Sequence, residues 1–337
     1  MQEMLVAHGQ KPYRAKQMFS WLYRKRVTSF DEMTDLPKTF IEELKQEYFI
    51  EPLKEIQRQV SKDGTIKFLC ELKDGSSVEL VLMHFHFGDS LCVTSQVGCN
   101  MGCSFCASGL LKKQRDLSAG EIVGEVMFVQ KQLDAEGRRV DNIVVMGTGE
   151  PFDNYENVMH FCSIVNSDLG LAIGARHITI STCGIVPKIE EFTKGHYQYN
   201  LAISLHAPTD ELRKKIMPID KAYPLDVLMK ALKAYSENNH RRLTFEYILL
   251  HDVNDSDAMA ITLANLVRGM NAYVNLIPYN QVDENGYVGV DEKKALHFYD
   301  VLMKHGVKAT LRQKHGDDID AACGQLRAKH ERNKKSS

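Results

Sequence analysis

The chain has 337 residues, 44% of them hydrophobic and 26% charged, with a formal net charge of −2. That length can bury a large core, the composition excludes wholesale disorder, and the near-neutral charge gives no global signal for nucleic acid. No apolar signal region opens the chain and no apolar run approaches membrane-spanning length, so a cytoplasmic location without a membrane partner is expected.

Residues 1–50 read as a helical, basic domain. "PYRAKQMFSWLYRKR" carries apolar positions at helical spacing, and "SFDEMTDLPKTFIEELKQEY" predicts a second and third helix divided at Pro37. Lys11, Arg14, Lys16, Arg24, Lys25 and Arg26 are interleaved with Tyr13, Trp21 and Tyr23. Such a run serves equally as a solvated amphipathic face or as a surface for phosphate contacts. Residues 51–90 contain two alternating segments, "TIKFLCELKDG" and "SSVELVLMHFHFG", a predicted β-hairpin.

From residue 91 to 326 β-rich runs alternate with helical ones: "LCVTSQ", "NIVVMG", "HITIST", "NLAISLH", "LTFEYILL", "YVNLIPY" and a late "VKATLR". The helical segment after the first run opens with a capping box, Ser118 to Glu121, and puts Ile122, Val126, Val129 and Leu133 on one face. About six β-α units in series predict an α/β fold, an open partial (β/α)6 barrel with chemistry at the C-terminal ends of its strands. Residues 327–337 read as a basic tail.

Cysteine usage carries the strongest local signal. Disulfide scaffolds are rare in the cytoplasm, so the eight cysteines are expected to bind metal, react or pack. Cys99, Cys103 and Cys106 form a C-x3-C-x2-C cluster after the first barrel run, and no fourth cysteine follows nearby. Three packed thiols on one short loop rarely face a common core. Structural zinc needs a closed set of four ligands, and no C-x2-C partner, H-E-x-x-H or H-x3-H lies downstream. Three thiolates suit a four-iron cluster with one open iron. "MGTGEP" places Gly147 and Gly149 after a β-rich run, but Phe152 stands where a dinucleotide fingerprint needs its last glycine. Taken alone, Cys92 and Cys323 read as small buried thiols, Glu79 as an exposed strand residue and His206 as a satisfied core histidine. Cys70, Cys162 and Cys183 are assigned to packing.

The cysteine spacing, with Phe105 before the last thiol, resembles the radical S-adenosylmethionine superfamily. "CVTSQVGCNMGCSFCASG", "GTGEPFDN", "ITISTCGIVP", "AISLHAP", "NLIPYN" and "GDDIDAACGQL" occur in order. Together they resemble the RlmN/Cfr family of RNA adenine methyltransferases over residues 13–326. The resemblance implies a 4Fe-4S cluster on Cys99, Cys103 and Cys106, with S-adenosylmethionine on the open iron. It implies cofactor contacts from Gly149, Glu150, Ser181, Ser204, Leu205, His206 and Asn280. Cys323 then matches the cysteine that carries a methyl group to the RNA, Cys92 the thiol that releases the product by forming a disulfide, and Glu79 the base that removes the C2 proton. The implied reaction is C2 methylation of adenine in 23S rRNA and tRNA with two S-adenosylmethionine consumed, by a monomer fed by flavodoxin with its reductase or by ferredoxin. C8 methylation of the 23S rRNA adenine, which confers antibiotic resistance, is the alternative; Pro151 and Pro278 favour the C2 branch. Residues 1–50 correspond to an accessory RNA-contacting domain. Thr148 and Gln281 depart from the expected methionine and proline.

Overall fold

A computed structural model describes residues 1–50, 53–239, 241–313, 315–316, 318–320 and 322–336. The expected boundary between the helical domain and the hairpin extension adjoins residues 51 and 52, which lie outside the described residues. One ten-stranded sheet organises the chain after residue 53. Its strands are β1 (Lys54–Val60), β2 (Ile66–Glu71), β3 (Ser77–Phe85), β4 (Gly88–Val93), β5 (Val140–Val145), β6 (Ile178–Thr182), β7 (Asn200–Ser204), β8 (Leu243–Leu249), β9 (Ala272–Pro278) and β10 (Ala309–Leu311). Spatial order follows chain order, so each strand lies beside its predecessor.

β1 to β4 pair antiparallel, and every pairing from β4 to β10 is parallel. The seven runs read as barrel strands are these seven parallel strands. They alternate with helices that cover the sheet, beginning with Ala119–Asp134, whose capping box forms with Ser118 Oγ accepting the Glu121 N–H at 3.2 Å. Ile122, Val126, Val129 and Leu133 are all buried beneath it. The sheet stays open, with β1 at one edge and β10 at the other. The predicted hairpin is β2 and β3, joined antiparallel.

Three local differences have physical causes. β1 was not legible because most of its side chains on both faces are solvent-exposed, which removes the alternation that marks a strand. The helix expected at residue 29 is a single 3-10 turn, Phe30–Glu32, because the chain turns again at Thr34 and Asp35 and the residue before Pro37 is barred from continuing a helix. The basic tail is helical, Gln325–Ser336, and its first turn buries Leu326, Arg327 and Ala328.

Residues 1–50 close a small core of their own around Leu5, Met18, Met33, Phe40 and Leu44. Arg26 ties this unit to the first barrel helix, its guanidinium meeting the Asp134 carboxylate with both bonds under 3 Å (2.6 and 2.9 Å). Lys11, Lys16, Arg24 and Lys25 remain exposed, as does Tyr13. No described helix is long and apolar enough to cross a membrane.

Candidate active site

The cluster cysteines sit on a loop that the barrel holds at several backbone points. Gly98 (φ +87°) begins it, and a Cβ there would lie 2.2 Å from the Lys112 carbonyl oxygen. Cys99 N donates to Leu111 O at 3.1 Å, Ser104 N to Ile216 O at 2.9 Å, and Tyr279 OH to Phe105 O at 3.1 Å. The three thiols face one cavity of about 350 Å³ at the C-terminal ends of the strands. Burial pushes all three thiol pKa values up, Cys99 to about 12; neighbouring thiols of the trio add to it for Cys99 and Cys103, and Cys323 does so for Cys106. Crowded thiols in such a place become thiolates only beside compensating positive charge, which an iron–sulfur cluster supplies. The donor set therefore fits the implied group.

Across the cavity, the turn that follows β5 runs through Gly147–Glu150. A Cβ on Gly149 (φ +111°) would lie 2.7 Å from both Gln96 Cβ and Ser95 Oγ, so only glycine admits this approach. Glu150 is buried, its oxygens accepting Phe152 N at 3.0 Å and Cys183 N at 2.8 Å, and burial raises its pKa. Ser181 and Ser204 close β6 and β7 with their hydroxyls 3.4 Å apart. His206 adopts φ +58°, sets its ring edge on Phe105, and accepts the Ile248 N–H on Nδ1 at 3.1 Å. Burial, with Arg213 nearby, lowers its pKa to about 3. Asn280 follows β9 at the rim. Leu205 does not reach the cavity; its side chain is buried and its carbonyl accepts Arg213 Nε at 3.3 Å.

Cys92, on β4, and Cys323, from the loop after β10, also line this cavity. Their sulfurs are within hydrogen-bonding reach, and Cys323 Sγ donates to Met146 O at 3.4 Å. Hydrogen bonding to Cys323 raises the Cys92 pKa, with burial adding to it, and the same contact lowers that of Cys323, with Lys67 helping. Arg312 favours the thiolate of either residue. Gly324 (φ +84°) lets the Cys323 loop press on the cluster loop, since a Cβ would lie 2.7 Å from Ser108 N.

Glu79 is not the exposed strand residue that its sequence context alone suggested. It is 4% exposed, does not line the cavity, and its Oε2 lies 3.0 Å from Nζ of the fully buried Lys67. Its oxygens also accept the N–H groups of Gly324 and Arg327, each at 2.6 Å. Sequence reasoning missed Lys67, Glu246 and Arg312. Glu246 is a buried carboxylate on the cavity wall, held by Asn275 Nδ2 at 2.8 Å, with its pKa raised by burial. An acid inside the apolar run "LTFEYILL" was the available signal. Cys70 and Cys162 are packed as expected, whereas Cys183 is buried yet borders the cavity.

Residues 93–264 match the Radical SAM superfamily, and residues 1–50 match the ribosomal RNA large subunit methyltransferase N-terminal domain. The chain is 55% identical to a probable dual-specificity RNA methyltransferase RlmN of Streptococcus suis, over 97% of this chain and 90% of that protein. It is 57% identical to the probable dual-specificity RNA methyltransferase RlmN of Geobacillus thermodenitrificans, over 98% and 90%. A crystal structure of a radical SAM methyltransferase from Sphaerobacter thermophilus superposes with a TM-score of 0.91 at 42% identity, over 96% of this chain and 95% of that one.

Proposed function

The chain belongs to the RlmN family of the radical SAM superfamily, and from that premise we propose that it methylates C2 of adenine in 23S rRNA and tRNA through a methyl group carried on Cys323. The observation that supports this most directly is the meeting of Cys92 and Cys323 in the cavity that the three cluster cysteines line. An RNA-binding protein with a resting cluster alone has no use for that second thiol pair.

When bound, the 4Fe-4S cluster and S-adenosylmethionine supply a methyl group and one-electron chemistry, which a non-nucleophilic carbon such as adenine C2 requires. Cys99, Cys103 and Cys106 hold the cluster. Gly149 and Glu150 present a carbonyl and a carboxylate to the cofactor ammonium, a cation with donors only. Ser181, Ser204, His206 and Asn280 line the rest of the cofactor space, and Leu205 acts behind them by fixing Arg213 through its carbonyl. His206 stays neutral there and offers Nε2 as a donor, because Nδ1 already accepts.

Cys323 takes the first methyl group as a thiolate, favoured by its hydrogen bond with Cys92 and by Lys67 and Arg312. After the carbon is joined to the RNA, the C2 proton passes to Glu79. The Cys92 sulfur, having given up its proton, then bonds to the Cys323 sulfur, and the bond from Cys323 to carbon breaks. The released carbon takes up a proton to complete the methyl group, leaving methylated RNA and a disulfide, and the odd electron returns to the bound cluster. Exposed Lys11, Lys16, Arg24 and Lys25 with Tyr13 form the RNA-contacting face of residues 1–50.

The test is anaerobic cluster reconstitution, reaction with unmodified 23S rRNA or tRNA and a reductant, and mass spectrometry of the nucleosides. We expect 2-methyladenosine from the native chain, none from Cys323→Ala, and an RNA–protein crosslink that accumulates in Cys92→Ala. Turnover by Cys323→Ala would discard the carrier role, and 8-methyladenosine would discard the C2 assignment.

A further inference from the structure

Lys67 has no part in the scheme above beyond its charge, yet it is the most completely buried lysine of the sheet, at 0% exposure. It sits on β2 opposite Val81, two residues along from the Leu69–Glu79 pair, so Lys67 and Glu79 are diagonal neighbours on one face. That is the face whose Thr65, Val81 and Met83 line the cavity. Lys67 Nζ donates to Asp320 O at 2.5 Å and Ala322 O at 2.7 Å, and lies 3.0 Å from Glu79 Oε2. All three ammonium protons are therefore engaged. Glu79 in turn accepts from Gly324 N and Arg327 N. The backbone is thus held by carbonyls before Cys323 and by N–H groups after it. An outer ring repeats the pattern: Gln59 brackets Asp320 with bonds of 3.0 and 3.1 Å, and Asp63 accepts Gly316 N at 3.0 Å.

A buried ion pair is weak evidence for stability, because a packed apolar pair of the same volume often serves as well. What an apolar pair cannot do is satisfy four backbone groups of a loop while orienting them. We propose that Lys67 is a positioning residue which, with Glu79, forms a two-sided latch on the Cys323 loop, and that Glu79 becomes available as the proton acceptor only when this latch opens. The second half rests on the reading of Glu79 and Cys323 given above. While the latch is closed, both Glu79 oxygens are occupied and the side chain lies outside the cavity. To take the C2 proton it must release Gly324 and Arg327, which frees the loop. The proton then neutralises the carboxylate. Holding Cys323 beside Cys92 and removing the substrate proton are accordingly exclusive states of one carboxylate.

Hydrogen–deuterium exchange read by mass spectrometry on the full, unloaded chain tests the latch, together with the rate at which diamide oxidises Cys92 and Cys323 to a disulfide. Lys67→Met is expected to speed exchange across residues 318–328 by at least about tenfold, because it leaves Glu79 buried without its cation. Exchange in β6 and β8 should not change, and disulfide formation should slow by a similar factor. Glu79→Gln, which keeps one acceptor but no charge, should give the same changes at smaller size, and it decides the matter if Lys67→Met does not fold. Native exchange and native disulfide rate in the folded variant would overturn the proposal. Neither readout needs cluster or RNA, so a failed latch and a failed methylation assay are told apart.

Discussion

His206 illustrates how one residue ties fold to chemistry. Its positive φ is uncommon outside glycine, although histidine adopts it more readily than most residues, and it brings the imidazole onto Phe105 within the cysteine loop. With a folded pKa lowered to about 3 from 6.5, the ring is neutral in the native state while the unfolded chain's histidine takes a proton. The unfolded state then binds more protons below pH 6.5, so stability is complete above that pH and is lost as pH falls toward 3. Between those limits this group contributes a loss of about 1.4 kcal/mol per pH unit. His206→Asn tolerates the backbone conformation and removes the titration, so urea melts at about pH 7 and about pH 5 should differ less than in the native chain. An unchanged difference would mean that other groups set the acid sensitivity. Nothing in "AISLHAP" taken alone separates this histidine from a core one. Glu79 shows the opposite limit. Its motif position was legible, but the lysine that neutralises it and the loop that covers it come from other parts of the chain.

At the scale of elements, strands and helices were read well wherever one face is apolar. The parallel strands announce themselves as short β-branched runs, and the Ser118–Glu121 box marks the start of its helix. Ser118→Ala should lower stability by about 1 kcal/mol, seen as a lower urea midpoint with an unchanged slope. No shift would mean that tertiary packing alone holds that first turn. Gly98 acts on the cluster loop instead. Gly98→Ala forces a Cβ against the Lys112 carbonyl at a positive φ, so iron bound after reconstitution should fall while far-UV circular dichroism stays native. Full iron loading would show that the loop can shift without losing its thiol geometry. β1 escaped notice for the reason that it is an edge strand with little buried surface, and such a segment carries no hydrophobic period to read.

For the whole molecule, the near-zero net charge conceals a division of labour. The barrel closes the cavity, and the small N-terminal unit displays cations outward, although Arg26 is committed to Asp134. Lys11→Glu, Lys16→Glu and Arg24→Glu together should weaken tRNA binding and flatten its dependence on salt, by a slope of about 0.7–0.9 for each phosphate no longer neutralised. Filter binding across a salt series measures this, and an unchanged slope would move the RNA-contacting face elsewhere. By itself the sequence determined the class of fold, the grouping of Cys99, Cys103 and Cys106 on one loop and the order of the motifs, because strand composition and cysteine spacing are local properties of a chain. Only the tertiary structure decided that Cys92 and Cys323 line one cavity, that Leu205 stays out of it, and that Glu79 is buried against Lys67. Those facts depend on distance and burial between residues far apart in sequence, where desolvation makes an ion pair or a thiol pair behave as no isolated residue can.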